Sequence, residues 1–228
     1  MRSRAAVPIL ALGGVGIVVL LAIAVTSGIS DPFDRSIIDA VRADGLRGPL
    51  SPLRVITELG STGAVAVVAL LTLLVGVLIG PWLHGVLGAA AIGLASAGNE
   101  ALKAVIARAR PDLLDPIVNE RGFSFPSGHS ALGMAAWGIL GVLVMRSRLP
   151  LRVRRGIVAS IAVLILLIGL SRIWLGVHYP TDVLAGWTAG AVFVLLYARL
   201  TRRVSPEPAA AAVDAGPAAQ RSDPPAPR

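Results

Sequence analysis

The chain has 228 residues, 55% of them hydrophobic and only 15% charged, with a mean hydropathy of +0.77. Its formal charge of +8 would suit a nucleic-acid partner, but the arginines stand at the ends of apolar runs, where topology signals belong, so that role is set aside. There is no cysteine, which excludes disulfides, zinc–thiolate sites and a cysteine nucleophile.

Uncharged runs near the ~20 residues needed to cross a bilayer core read as transmembrane helices. The first, Ala5 to Ser30, follows Arg2 and Arg4 and is longer than a signal-peptide core; a retained helix is expected. A polar segment, Asp31 to Glu58, comes next. Asp31-Pro32 is a helix start, and Phe33, Ile37, Ile38 and Val41 fall on one helical face. This pattern suits either a helix lying on the membrane surface or a loop helix packed on the protein. The second span is Leu59 to Leu83, broken near Pro81. The third, Trp82 to Lys103, is rich in Gly and Ala, which lets helices approach closely and predicts a central position. Spans four to six are Gly128 to Met145, Gly156 to Leu170 and Asp182 to Ala198, the last two short without flanking residues. The expected fold class is therefore all-α, a polytopic membrane protein with about six transmembrane helices in a bundle. Residues 1–204 form the membrane domain. The Pro- and Ala-rich 205–228 is expected to be a disordered cytoplasmic tail.

Basic residues set the orientation. Arg2 and Arg4, then Arg146, Arg148, Arg152, Arg154 and Arg155, then Arg199, Arg202 and Arg203, fall on one side when six spans are counted, and that side is the cytoplasm. Both termini are then cytoplasmic and the membrane is the plasma (inner) membrane.

Three polar clusters remain, and this topology sends all of them to the opposite, extracytoplasmic face. They are K-A-V-I-A-R-A-R-P (Lys103 to Pro111), F-P-S-G-H-S (Phe125 to Ser130) and S-R-I-W-L-G-V-H-Y-P-T-D (Ser171 to Asp182). Lys103, Arg110 and Arg172 supply fixed positive charge suited to a phosphoryl group, arginine as a bidentate fork and lysine as a point charge. Any one of them alone reads as an interfacial cation. Ser127 and Gly128 open an apolar helix, whose free N–H groups and partial positive charge make an anion site. His178 and Asp182 lie four apart around Pro180, so the carboxylate can hold one ring nitrogen and leave the other to attack. His129 stands at another helix end as an acid partner. His84 lies at the other face and reads as structural. Arg108 and Arg121 could touch a second phosphate or lipid headgroups, but interfacial charge is the preferred reading.

The set K-x6-R-P, P-S-G-H and S-R-x5-H-x3-D resembles the three-part signature of the type-2 phosphatidic acid phosphatase superfamily. That group includes lipid phosphate phosphatases, undecaprenyl-diphosphate phosphatases, glucose-6-phosphatase and vanadium haloperoxidases. Every signature position is matched within residues 103–182. The resemblance implies that His178 is a covalent nucleophile, Asp182 orients it, and His129 protonates the leaving oxygen and then activates water. It further implies that Lys103, Arg110, Arg172 and the amides near Ser127 and Gly128 hold the phosphate, with no metal and no cofactor. The expected substrate is a lipid phosphate or diphosphate, undecaprenyl diphosphate first, then phosphatidylglycerophosphate or phosphatidic acid. Phosphotransfer to a hydroxyl and a non-enzymatic transporter or scaffold are the other readings.

Overall fold

A computed structural model describes residues 3–43, 52–79, 82–111 and 120–204; the expected tail at 205–228 and the break at Pro81 lie outside them. Among the described residues the chain forms eight helices and no strand. They are α1 (Ser3–Thr26), α2 (Asp31–Ala43), α3 (Pro52–Glu58), α4 (Thr62–Ile79), α5 (Trp82–Ile106), α6 (Gly128–Arg146), α7 (Leu151–Trp174) and α8 (Pro180–Val204). Helices α1, α6, α7 and α8 are each long and apolar enough to cross a membrane, and α3 with α4 passes as a pair bent by 50°. Helix α5 spans 25 residues. Its glycines and alanines lower its hydropathy but let it pack closely. With it the bundle has six long helices, as the sequence pattern predicts, and the chain is a membrane protein.

The last two spans are longer than their apolar runs, 24 and 25 residues, because both helices continue into their charged flanks. Arginine can do this by laying its stem along apolar surface and carrying its head to the boundary.

The centre of the bundle belongs to α6, which packs against α4, α5, α7 and α8. Half of its span is buried, against 22% of α1. The expectation that the third span is central is therefore corrected. Small residues on α5 do serve close approach, with Gly85 lying against the Leu73 backbone, but α5 meets α4, α6 and α8 from one side. Ala135, Ala136, Ile139 and Leu143 of α6 form the core with Val68, Ile92 and Tyr197. Helix α1 lies along α8, with Val192 and Thr188 near Gly14.

The polar segment resolves into two packed helices. In α2 the buried face carries Asp34 and Ile38, while Phe33 and Ile37 are exposed, so the helix both seats on the protein and shows apolar side chains outward. Helix α3 packs on α7. The turn from α3 to α4 rests on α6: Trp137 Nε1 donates to the Leu59 carbonyl at 3.0 Å. A Cβ at Gly60 would lie 3.1 Å from the His129 carbonyl oxygen.

Candidate active site

Up-and-down connectivity carries the three clusters to one end of the bundle. Lys103 is in the last turn of α5, with Arg108 and Arg110 just beyond it. Ser127, Gly128 and His129 open α6, Arg172 is in the last turn of α7, His178 is in the α7–α8 connection, and Asp182 is in the first turn of α8. Every site residue expected from the sequence lies at this end. His84 sits at the other end, its backbone carbonyl accepting from Tyr197 Oη at 3.1 Å.

Pro180 opens α8, a position where its missing N–H is not needed and its fixed φ already suits a helix. This puts Asp182 one turn past His178. Asp182 is fully buried, and both of its carboxylate oxygens are occupied. Oδ1 accepts from Arg108 at 2.7 Å. Oδ2 accepts from the Tyr179 backbone N–H at 2.9 Å and from Ser124 Oγ, and lies 3.5 Å from His178 Nδ1. On its other side, His178 Nε2 faces an Arg110 guanidinium N–H at 3.1 Å, and a second Arg110 contact from the same nitrogen reaches the Val177 carbonyl at 2.9 Å. A guanidinium only donates, so Nε2 must accept and the ring proton belongs on Nδ1, toward Asp182. With 1% of its surface exposed, His178 resists charging: burial pushes its pKa from 6.5 down to about 4, against the pull of Asp182 and aided by Arg172 and Arg110. The ring is neutral at pH 7, with its lone pair on Nε2.

Arg172 is 1% exposed. Burying a charge without partners costs several kcal/mol, and here Thr57 Oγ1 of α3 accepts at 2.8 Å and Glu120 takes the other terminal nitrogen. Glu120 also lies 3.5 Å from Arg110. Burial pushes the Glu120 carboxyl up, but Arg172 beside it prevails, and it sits below the usual carboxylate range. Lys103 Nζ is 3.7 Å from Glu100. A Cβ at Gly128 would lie 3.6 Å from that Nζ, so the glycine keeps the α6 N-terminus open beside the lysine. Ser127 caps α6, its Oγ accepting from Ser130 N–H at 3.5 Å, and its own N–H donates to the Asp182 carbonyl at 3.0 Å. That last bond ties the start of α6 to the start of α8. His129 faces the same cluster, within electrostatic reach of Arg172, Glu120, His178 and Lys103.

Several residues at this end were not found by sequence reasoning. Arg108, expected as interfacial charge, is almost wholly buried and bonds Asp182, Thr181 and Asp34. Asp34, expected only near a helix start, is fully buried. Ser124 and Glu120 were not singled out. Asp34 alone had a legible signal, since it shares a helical face with Ile38, and a carboxylate on a buried face demands a cation. The Arg121 carbonyl accepts from Arg110 at 3.4 Å.

The chain is an all-α membrane bundle with a buried histidine–carboxylate pair at one end, where Lys103, Arg108, Arg110 and Arg172 gather, a charge distribution suited to an anion. Residues 69–205, more than half of the chain, match the PAP2 superfamily, and the chain belongs to that superfamily. It is 39% identical over 99 residues to phosphatidylglycerophosphatase B of Bacillus subtilis, covering 43% of this chain and 48% of that protein. It is 41% identical over 106 residues to the lipid A 1-phosphatase of Rhizobium johnstonii, covering 42% of this chain and 39% of that protein. The chain thus aligns with less than half the length of these curated relatives. Among solved structures, the transmembrane PAP2 type phosphatidylglycerolphosphate phosphatase from Bacillus subtilis superposes with a TM-score of 0.78 at 26% identity, over 86% of this chain and 98% of that one. Aquifex aeolicus LpxE shares the fold, with a TM-score of 0.56 at 23% identity, over 72% of this chain and 94% of that one.

Proposed function

We propose that this protein is a phosphatase that removes a terminal phosphate from a membrane lipid through a phosphohistidine at His178. The observation that carries the reading is the placement of that ring. Its Nδ1 is turned to Asp182, its Nε2 is turned to Arg110, and it is buried and neutral within reach of Arg172 and of His129 in the first turn of α6. Membership of the PAP2 superfamily and the names of the two curated relatives support the same reaction class.

In the proposed reaction Nε2 attacks phosphorus, an N–P bond forms, and the bond from phosphorus to the lipid oxygen breaks. His129, charged once the anionic phosphate lies beside it, gives its proton to that oxygen, so the lipid leaves as an alcohol, or as a monophosphate from a diphosphate. The Nδ1 proton stays shared with Asp182, which balances the positive charge on the ring. Water then attacks the phosphohistidine, His129 takes a water proton, and the N–P bond breaks to release inorganic phosphate. Arg110, Arg172, Lys103 and the α6 amides hold the equatorial oxygens, and their fixed charges stabilise the transition state in a water-poor site. The described residues offer no group of three or more His, Asp or Glu arranged for a metal ion. The cationic set suits an anion, and no step requires a metal.

Undecaprenyl diphosphate remains the first substrate to test, because the arginine distribution supports a site facing the extracytoplasmic side, which suits recycling of a carrier lipid. Phosphatidylglycerophosphate stands beside it on the strength of the Bacillus relative's name. Purified protein in detergent would be assayed with both lipids, beside His178→Ala. Phosphate release by the wild type alone supports the reading. Equal release by the variant, or none from any lipid phosphate, refutes it.

A further inference from the structure

We infer that Arg108, anchored from behind by Asp34 of α2, is a positioning residue that fixes Asp182 and, through it, the ring of His178. This rests on the histidine-nucleophile reading above and extends it to an element outside the three sequence clusters. The geometry is a relay between buried groups. One nitrogen of the Arg108 guanidinium donates to Asp182 Oδ1 at 2.7 Å and to Thr181 Oγ1 at 2.9 Å, while the other donates to Asp34 Oδ2 at 2.8 Å. Asp34 accepts in turn from the Thr181 backbone N–H at 3.1 Å and from Thr181 Oγ1 at 2.6 Å, so it grips both Arg108 and the first turn of α8. The guanidinium lies 4.1 Å from the centre of the Tyr179 ring, which covers its face. The Arg108 backbone carbonyl accepts from Ser124 N–H at 2.8 Å, and Ser124 Oγ donates to the other Asp182 oxygen. Arg108 thereby touches Asp182 directly through Oδ1 and through Ser124 at Oδ2.

This division of labour has a consequence for the nucleophile. Asp182 and Asp34 are both fully buried, so an oxygen that loses its donor has no water to replace it, and the carboxylate must rotate or attract a proton. Rotation of Asp182 takes Oδ2 away from His178 Nδ1, and the ring then loses what fixes its tautomer. Lysine could not replace Arg108, because a single ammonium lacks the planar fork that reaches two carboxylates on different helices. Neither Asp34 nor Arg108 lies within hydrogen-bonding distance of the nucleophilic Nε2, which belongs to Arg110. Their effect must therefore appear in the chemical step rather than in lipid binding. Because α2 also carries the exposed Phe33 and Ile37, the relay connects an amphipathic surface helix to the catalytic carboxylate.

The test compares wild type, Arg108→Gln, and Arg108→Gln with Asp34→Asn, all in detergent. Removing Arg108 alone strands two buried carboxylates and threatens folding; the double variant also removes the Asp34 charge and restores the balance on that side. With the double variant melting close to wild type, kcat should fall by about ten- to a hundred-fold while KM stays within about three-fold, as expected for a misplaced reacting group. Recovery of kcat to within about two-fold of wild type would mean that Arg108 only neutralises charge. A rise in KM at constant kcat would make it a phosphate ligand. Either result overturns the inference. A second readout does not depend on turnover: the chain has three histidines, so ring-15N-histidine labelling resolves His178 by NMR. The double variant should lose the single Nδ1–H tautomer, and an unchanged tautomer overturns the inference. If the wild type releases no phosphate in a His178-dependent way, the functional reading fails, and the ring spectrum still decides whether Arg108 fixes His178.

Discussion

Gly186 lies one helical turn after Asp182, where α8 crosses the beginning of α6, and replacing it with alanine should separate catalysis from folding. A Cβ at this position would lie 2.6 Å from the Ser127 carbonyl oxygen, 2.9 Å from Ser130 Cβ and 3.1 Å from the Ala131 backbone nitrogen. Ordinary carbon–oxygen contact begins near about 3.3 Å, so the two helix starts must part by roughly 0.7 Å. Two of the three obstructing atoms are backbone and cannot yield by changing rotamer. The shift falls on the Ser127 N–H bond to the Asp182 backbone carbonyl, 3.0 Å long, which couples the start of α6 to the turn of α8 that carries Asp182. Overpacking of this kind costs about 1–3 kcal/mol, and displacing reacting groups by about 1 Å can cost about a hundred-fold in rate. Gly186→Ala should therefore melt a few degrees lower in detergent and lose about ten- to a hundred-fold in kcat/KM for lipid phosphate. Gly93→Ala is the control: it is also a helical glycine, but nothing lies within 4 Å of its added methyl. Melting followed by tryptophan fluorescence, with phosphate release on the same samples, checks both. A Gly186→Ala protein with the control's activity would refute the claim that α6 and α8 must meet this closely for turnover.

Four further outcomes are expected. The unfolded-state pKa of His178 is near 6.5 and its folded value is about 4. The native state therefore binds fewer protons at this residue between these values, and its contribution to stability is complete above about pH 6.5, falls as the pH drops toward 4 and levels off below it. The loss reaches about 3 kcal/mol, and His178→Asn should make that part of the melting-temperature profile shallower between pH 7.5 and 4.5. Arg172→Lys should lose about a hundred-fold in kcat/KM, since lysine cannot span Thr57 and Glu120 as the planar fork does, and steady-state kinetics on one lipid phosphate checks it. Glu120→Gln should bind orthovanadate several-fold tighter, because a carboxylate no longer competes for Arg172 and Arg110, while melting earlier because Arg172 loses its counter-ion; inhibition and melting curves read the two effects separately. Dialysis against excess EDTA should leave the rate of phosphate release within about two-fold of the untreated protein.

The clusters were legible because their chemistry needs residue types that an apolar background almost excludes. Lys103 is the single lysine among 21 basic residues, and His178 and Asp182 sit one turn apart. Local spacing encoded the Ser127 cap and the Pro180 start. The remaining partners depend on meetings that sequence distance hides: Arg108 reaches Asp182 across 74 positions and Asp34 across another 74, and Ser124 reaches Asp182 across 58. An arginine near a helix end in a membrane protein is ordinarily interfacial. Its burial became visible only when α2 supplied a carboxylate from the other direction. The centrality of α6 was hidden for a related reason: small residues mark close approach, which α5 does make, but they do not say on how many sides a helix is enclosed.

The charges at this end separate into two groups that meet at one ring. Arg108 is shared between Asp34 and Asp182; the two carboxylates are fully buried, the arginine side chain is 9% exposed, and their polar atoms are turned toward one another. Arg110 and Arg172 share Glu120, with Lys103 nearby, and this second group holds more cations than carboxylates. An incoming phosphate can compete with Glu120 for the second group. It gains nothing from the first, whose cation is already fully engaged. His178 stands between them, Nδ1 toward Asp182 of the closed group and Nε2 toward Arg110 of the open one. The same partition that keeps the ring's proton on one side therefore presents its lone pair to the side with spare cations, so the tautomer and the proposed direction of attack follow from a single arrangement of charge.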